Sequence, residues 1–365
     1  MSDTNFYTLK IADVQPETDT AICVSFAVPA ELKEKFNFIQ GQFLTLRAMI
    51  DGEDVRRSYS ICSGVTDGHM RVGIKRVKGG KFSNYANDEF KPGMSVEVMP
   101  PQGSFYTELN ADNAKNYMCI AAGSGITPMI SIMKSVLDIE PNSTVTLIYG
   151  NQRSNTVMFK DELNFVKNRY MNRFQWINIM DYEDQGADLL NGRIDNKKGY
   201  QLQKSGLIDI KNTDEAFICG PEAMMSEVSR GFRMEGLSDD QIHYELFSSS
   251  SADSEEALKR AQQRVAEYGE EKTSKVTVVS DGRAVSFDLA TVGENILDAG
   301  IENGMDLPYS CKGGVCSTCK CKLTKGQVEM DISHGLEQHE IDAGYVLSCQ
   351  AHPITDEVVL DFDQR

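Results

Sequence analysis

Cys311-Lys312-Gly313-Gly314-Val315-Cys316-Ser317-Thr318-Cys319 sets three thiols in the spacing C-x4-C-x2-C, and a fourth, Cys349, follows at a distance. This is the spacing of a plant-type [2Fe–2S] cluster. Four thiolates must converge on two irons, so three come from one tight loop and one from a remote segment. Gly313 and Gly314 allow the backbone to curl and to aim amides at the cluster sulfurs. Structural zinc prefers paired C-x2-C units or histidine partners. The chain has a single C-x2-C here, and His334 and His339 lie on a polar, solvated-looking segment. Cys321 falls two residues after Cys319, on the same face of a strand, and is expected to pack beneath the loop rather than to ligate. The other four cysteines, Cys23, Cys62, Cys119 and Cys219, are scattered through apolar, strand-like stretches. Nine cysteines behind a polar start with no secretion signal suggest a metal or redox site rather than a disulfide scaffold, and a cytoplasmic location.

Working outward from that loop, residues 274–365 form a cluster-bearing segment with 15 acids against 7 bases. Its charge of −8 suits docking on a basic patch of an electron acceptor. Before it, residues 249–273 read as a polar linker, mobile and with a helical tendency over Glu255 to Tyr268. Such an arm would let the cluster domain collect an electron in one place and present it in another. Residues 109–248 alternate strand and helix, as in Tyr117 to Ala122 before a Gly loop and a helix from Met129, which predicts a doubly wound parallel sheet. Residues 1–108 read as short strands with a hairpin signal at Asp51-Gly52, consistent with an antiparallel β-barrel. The whole chain of 365 residues carries a formal charge of −17, which argues against nucleic acid and anionic membrane as partners. No apolar run approaches the roughly 18 residues of a membrane helix.

Several stretches carry nucleotide chemistry. Arg57-Ser58-Tyr59-Ser60 ends a barrel strand; a guanidinium suits a pyrophosphate, an aromatic ring covers a flat heterocycle, and a hydroxyl reaches a ring nitrogen. Gly79-Gly80-Lys81-Phe82-Ser83-Asn84 precedes a helical run and makes an anion nest, although an ordinary turn would read the same way. Gly123-Ser124-Gly125-Ile126-Thr127-Pro128 lies between strand and helix, the place for a dinucleotide pyrophosphate. It is neither G-x-G-x-x-G nor a P-loop, and Thr127 with Pro128 suit an N-cap and first helical position. Cys219-Gly220-Pro221 repeats the strand–loop–helix arrangement and would bring a small thiol beside a nicotinamide.

Taken in order, Arg-x-Tyr-Ser, Gly-Gly-x-Phe-Ser, Gly-Ser-Gly-Ile-Thr-Pro and Cys-Gly-Pro resemble the ferredoxin–NADP reductase family. The appended ferredoxin resembles the reductase components of oxygenases. Ile148-Tyr149-Gly150-Asn151, Leu189 to Asp195 and Gly344 to Gln350 are similar to the subgroup that serves bacterial phenylacetyl-CoA epoxidases. The resemblance implies an FAD barrel, an NADP sheet and a β-grasp ferredoxin. It implies that Arg57, Ser58, Tyr59 and Ser60 hold FAD, with Ile74-Lys75 and Gly80, Lys81, Phe82 and Ser83 completing the site. Gly123, Ser124, Gly125, Ile126, Thr127 and Pro128 would bind the nicotinamide cofactor's pyrophosphate, and Cys219, Gly220 and Pro221 would sit by its ring. Glu245 and Phe247 would approach the flavin; Ser60, Cys219 and Glu245 would be the catalytic set. Cys311, Cys316, Cys319 and Cys349 would ligate the cluster. The implied partner is a di-iron oxygenase; a Rieske ring-hydroxylating oxygenase or an acyl desaturase is the alternative, and a redox sensor without turnover the remote one.

The residues after the strand Val145 to Gly150 bear on NADPH against NADH, because a carboxylate there accepts ribose hydroxyls and a cation pairs with the phosphate. Asn151-Gln152-Arg153-Ser154-Asn155 contains no acid before Asp161, so Arg153 and Ser154 point to NADPH. The subgroup is expected to place Arg where Gln152 stands, a shift of one residue. Arg193 is expected to form a structural ion pair, and His243 to pack.

Overall fold

The computed structural model describes residues 3–247, 251–269 and 272–364. They form two compact units, one running essentially from Phe6 to Glu245 and the other from Leu246 onward.

The first unit begins with six strands: β1 (Tyr7–Thr18), β2 (Ala21–Ala27), β3 (Phe43–Ile50), β4 (Glu53–Ser60), β5 (Met70–Lys75) and β6 (Ser95–Gln102), with α1 (Lys81–Glu89) before the last. Their order is β4-β3-β6-β1-β2-β5, and a bridge from Ile61 to Val72 joins the two ends. The sheet therefore closes on itself as a barrel, which removes its edges. Asp51 and Gly52 both have positive φ, 54° and 82°, as the tight turn between β3 and β4 requires. Leu9, Val24, Leu44, Leu46, Val72 and Ile74 fill the interior without measurable exposure.

Five parallel strands follow: β7 (Asn116–Ala122), β8 (Thr144–Asn151), β9 (Phe174–Met180), β10 (Glu215–Cys219) and β11 (Ile242–Glu245), ordered β11-β10-β7-β8-β9. They alternate with α2 (Ile126–Ile139), α3 (Lys160–Arg169), α4 (Asn196–Lys204) and α5 (Glu222–Met234). Apolar residues on both faces explain why the strands read as continuous hydrophobic runs. Cys119, Leu147 and Phe217 pack with Met129, Ile130 and Met133 of α2 and Leu163 of α3. Met118, Ile120 and Ile148 face the other way, among Leu202, Val228 and Phe232. Barrel and parallel sheet are held together by a low-exposure charge network. Arg71 bonds Glu162 at 2.8 Å, and Lys134 bonds both Glu162 and Asp67 at 2.6 Å. Glu17 of β1 accepts from the amide of Phe159 at 2.8 Å.

The second unit contains α6 (Ser251–Tyr268), β12 (Thr273–Ser280), β13 (Arg283–Ala290), α7 (Ile296–Glu302), β14 (Lys320–Lys325), β15 (Val328–Met330), α8 (Gln338–Asp342), β16 (Tyr345–Leu347), β17 (Ala351–Pro353) and β18 (Glu357–Asp361). The main sheet runs β13-β12-β18-β14-β16, mixed, with α7 against it, the β-grasp arrangement. Residues 251–268, which read from sequence as a polar linker, form one helix that is tied to this unit. Arg264 is 2% exposed and donates to Asp331 at 2.6 Å. An 18-residue amphipathic helix with a buried arginine is a docked element, so the expected mobility does not extend to it; the polar composition that suggests an arm reflects its solvated face. Residues 248–250, 270 and 271 lie outside the described residues, while at the end of the stretch expected to be a linker Lys272 donates to Ile354 O at 2.6 Å and Thr273 opens β12. Among the described residues no helix is long and apolar enough to cross a membrane.

Candidate functional site

In an open parallel sheet, ligands bind at the carboxyl ends of the strands. Here the register puts Cys219, the last residue of β10, between Ala121 of β7 and Glu245 of β11. Ser60, the last residue of β4, donates its hydroxyl to Glu245 Oε2 at 3.2 Å. The three side chains expected to act together therefore meet at one sheet edge, although they come from positions up to 185 residues apart.

The loop after β7 is a tight turn over Gly123–Gly125, with φ of +55° at Gly123. α2 starts at Ile126, so the sequence-based placement of Thr127 as its cap is two residues late. Gly125 is the cap, and Thr127 donates its hydroxyl back to Ser124 O at 3.0 Å instead of capping. Gly125 has no room for a side chain: a Cβ would lie 2.1 Å from Cys219 O. A Cβ on Gly220 would lie 2.7 Å from Met224 Cε. Both glycines let the β7 and β10 loops approach backbone to backbone. Tyr149 of β8, buried, donates to Gly123 O at 2.8 Å and fixes the turn. A Cβ on Gly123 would stand 3.5 Å from Lys75 Nζ, so the half-buried amine at the end of β5 faces the glycine loop.

Burial sets the electrostatics. Desolvation pushes the Glu245 carboxyl up to about 8, against the pull of the Ser60 hydroxyl. Burial, and then the Glu245 carboxylate, push the Cys219 thiol well above its ordinary value. Burial lowers the Lys75 amine. At neutral pH the corner thus offers a carboxyl, a thiol and a hydroxyl, all uncharged, beside one amine. A glycine cradle with a desolvated amine opposite fits a pyrophosphate, and the uncharged corner fits a planar redox ring.

On the barrel, Arg57 is exposed while Ser58 and Tyr59 are half-buried. Phe82, expected to touch the cofactor, is instead 1% exposed, packed at 5.8 Å beneath Tyr59 and edge-on to Tyr85 and Phe90. It supports the Tyr59 ring from the core. Ile74 is also a core residue with no measurable exposure, and only the following Lys75, half-buried, reaches the surface. Gly80 caps α1, Ser83 accepts from the Val77 amide at 3.1 Å, and Lys81 pairs with Glu53 at 2.5 Å. Phe247 is 44% exposed.

Arg153 and Ser154 start a short turn after β8, with Arg153 exposed. Glu183, from the segment after β9, accepts from the Ser154 amide at 2.7 Å. That bond and its hydroxyl partner hold the Glu183 carboxyl below its usual range, with Arg153 adding to the effect. Sequence reasoning misses this carboxylate because it lies 29 residues downstream of Ser154. Arg193 pairs with Asp181 at 3.2 Å, and His243 stacks on Phe217 at 4.7 Å while bonding Glu215 at 2.8 Å, as the sequence suggests.

In the second unit the four thiols stand as two pairs. Cys311 and Cys316 sulfurs are 3.1 Å apart, and the Cys319 thiol is hydrogen-bonded to Cys349. Among the described residues no three His, Cys, Asp or Glu side chains are arranged to hold one ion. The two-by-two arrangement is that of two bridged irons. The Cys316 thiol, then the amides of Gly313, Cys316 and Val315, bring Cys311 down to about 6. The curl of the loop uses positive φ at Lys312 (51°) and Gly314 (72°). A Cβ on Gly314 would stand 2.7 Å from Ile332. Cys321, fully buried, points to Val346 O at 3.9 Å, away from a ligand role. Gln350 donates to the Cys349 sulfur at 3.7 Å, a contact that no spacing rule announces.

A closed barrel, a doubly wound sheet and a β-grasp domain with a three-thiol loop and a fourth thiol from a remote segment define a modular reductase. Family comparison agrees: residues 9–106 match the oxidoreductase FAD-binding domain, 119–230 the oxidoreductase NAD-binding domain, and 278–353 the 2Fe-2S iron-sulfur cluster binding domain. The chain is 46% identical over 362 residues to a component of the 1,2-phenylacetyl-CoA epoxidase of Escherichia coli K12, covering 99% of each. It is 33% identical over 356 residues to the ferredoxin reductase component of 3-ketosteroid-9-alpha-monooxygenase of Rhodococcus rhodochrous, covering 97% of this chain and 96% of that one. The fold matches phthalate dioxygenase reductase with a TM-score of 0.58 at 22% identity, over 98% of both chains. The chain belongs to the family of FAD- and [2Fe–2S]-containing ferredoxin reductases that includes this component of the phenylacetyl-CoA epoxidase.

Proposed function

We propose that this protein is the NADPH-dependent reductase of a di-iron phenylacetyl-CoA epoxidase, working in the cytoplasm. The observation that carries the partner is likeness along 99% of both chains to a component of a 1,2-phenylacetyl-CoA epoxidase. The nine free cysteines fit a reducing compartment.

When bound, FAD takes electrons in pairs from the nicotinamide and releases them singly to the cluster. The chain's own residues do the positioning. Arg57 holds the flavin pyrophosphate, and Tyr59, propped by Phe82, covers the ring. The turn Gly123–Gly125 and the first turn of α2 receive the nicotinamide cofactor's pyrophosphate, with Lys75 opposite. Cys219 and Gly220 leave space for the reactive ring. Glu245, kept protonated by burial, and Ser60 hold a proton beside the flavin without adding charge. Arg153 and Ser154 meet the extra phosphate of NADPH, and Glu183 limits that preference by its charge. Cys311, Cys316, Cys319 and Cys349 hold the cluster.

The test is NADPH oxidation by the holoprotein with the purified oxygenase components of the epoxidase, phenylacetyl-CoA being added last. Oxidation should rise on that addition and be weaker with NADH. If dyes are reduced but phenylacetyl-CoA changes nothing, the partner is wrong. A Rieske-type oxygenase would then be tried, and with it the oxygenase component of a 3-ketosteroid-9-alpha-monooxygenase, whose ferredoxin reductase component is 33% identical to this chain.

A further inference from the structure

Helix α6 does more than connect one part of the chain to the next, because hydrogen bonds described for three of its side chains converge on one segment, residues 329–334. Arg264 donates to Asp331 Oδ1 at 2.6 Å and reaches Glu329 at 3.4 Å. Arg260 donates to Met330 O at 2.7 Å. Asp253 bonds His334 Nε2 at 2.8 Å. On its other oxygen Asp331 meets His352 Nε2 at 3.1 Å. The helix therefore grips the segment at three places, one of them a guanidinium–carboxylate–imidazole chain in which Arg264 and His352 are both nearly inaccessible.

That segment lies on the cluster loop and on the strand ends that carry the fourth cysteine. Ile332 fills the space where a Cβ on Gly314 would stand, at 2.7 Å. Gly335 N donates to Gly314 O at 2.8 Å, and a Cβ on Gly335 would lie 2.7 Å from Cys316 O. On the other side Asp331 N donates to Gln350 O at 3.0 Å, and Leu347 N donates to the Met330 sulfur at 3.3 Å. β15 and β17 pair Glu329 with His352 and Met330 with Ala351. The segment gripped by α6 thus touches Gly314–Cys316 on one side and Leu347–Gln350 on the other.

We propose that α6 is a clamp on the cluster site, with Arg264 as a positioning residue that fixes residues 329–334 against the loops bearing Cys311, Cys316 and Cys349. The proposal rests on the reading of those thiols as [2Fe–2S] ligands. It assigns the helix to the electron-transfer machinery instead of to a tether. Outer contacts of this kind commonly alter metal retention by about 10–100-fold when removed.

The experiment compares wild type with Arg264→Met and Arg264→Lys as holoproteins. Readouts are the EPR spectrum of the reduced cluster, the midpoint potential, the rate of iron loss to a chelator, and FAD reduction by NADPH. Arg264→Met should load FAD and reduce it at the wild-type rate, yet show an altered EPR line shape, a shifted potential and iron loss about tenfold faster. Arg264→Lys, which keeps the charge, should recover part of each. A wild-type spectrum and wild-type iron loss in Arg264→Met would overturn the clamp. Should that variant be insoluble, Arg260→Ala carries the same prediction through the Met330 carbonyl. A wild-type protein with no reduced-cluster signal would overturn the ligand reading itself, and the clamp with it.

Discussion

Replacing Gly125 by alanine tests whether the crevice depends on backbone approach. The new methyl would stand 2.1 Å from Cys219 O and 2.6 Å from Cys219 C, where ordinary contact begins near 3.4 Å. Both neighbours are backbone, so no side chain can swing away. The β7 loop and the end of β10 must part by on the order of 1 Å, which as an overpacking strain costs about 1–3 kcal/mol. The protein should still fold, because the core beneath is unchanged. A misplacement of about 1 Å at a reacting pair lowers rates by on the order of 100-fold. Stopped-flow reduction of the bound flavin by NADPH should slow by that order, with FAD content and the cluster spectrum intact. The control is Gly199→Ala, in α4, where nothing lies within 4 Å of the Cβ and φ is not positive. It should leave flavin reduction unchanged and raise stability by about 0.5–1 kcal/mol, as alanine does in a helix. Wild-type flavin reduction in Gly125→Ala would refute the argument that close approach of these loops aligns the nicotinamide.

Three further outcomes are expected. Burial raises Glu245 from 4.5 to about 8, so the native state keeps a proton that the unfolded chain releases. Stability should therefore fall as pH rises from about 4.5 through 8, by up to about 5 kcal/mol. Glu245→Gln should flatten that slope in urea titrations of the FAD-free protein; parallel slopes would refute it. Arg153→Ala should raise the KM for NADPH by about tenfold, one charge-assisted contact, and leave NADH unchanged, while Glu183→Gln should lower the KM for NADPH. Equal effects on both nucleotides would remove Arg153 and Glu183 from selectivity. Cys349→Ser should abolish the visible cluster spectrum, whereas Cys321→Ser should keep it at some cost in stability; loss of the cluster in Cys321→Ser alone would reverse the ligand assignment.

What can be read in the chain follows from which interactions are local. The cluster loop, Arg57 to Ser60 and Gly123 to Pro128 are contiguous, and their spacing encodes geometry that a short backbone adopts largely by itself. The meeting of Ser60, Cys219 and Glu245 is not local, and only family resemblance anticipates it; sheet register then supplies the physical reason. Glu183 and Tyr149 stay hidden because one is an acid on another strand's loop and the other a buried tyrosine in an ordinary hydrophobic run. Helix α6 misleads for the opposite reason. Its composition is polar, and nothing in it announces that Arg264 is buried against Asp331. Phe82 reads as a ligand contact because it stands inside a motif, whereas its ring serves the core under Tyr59.

The two proposed redox sites set charge by different means and in opposite directions. At the sheet edge, burial removes charge: the Glu245 carboxyl and the Cys219 thiol both hold their protons. At the cluster loop, the neighbouring Cys316 thiol and three amides favour the Cys311 thiolate, bringing it down to about 6. An uncharged corner suits a ring that takes up charge and needs a proton held ready. A nest of amides suits thiolates that must stay ionised on iron. In each place the backbone sets the local geometry, through the bare approach of Gly125 to Cys219 and through the turn at Lys312 and Gly314. The chemistry therefore depends on glycines and register as much as on the side chains that carry the protons and the metal.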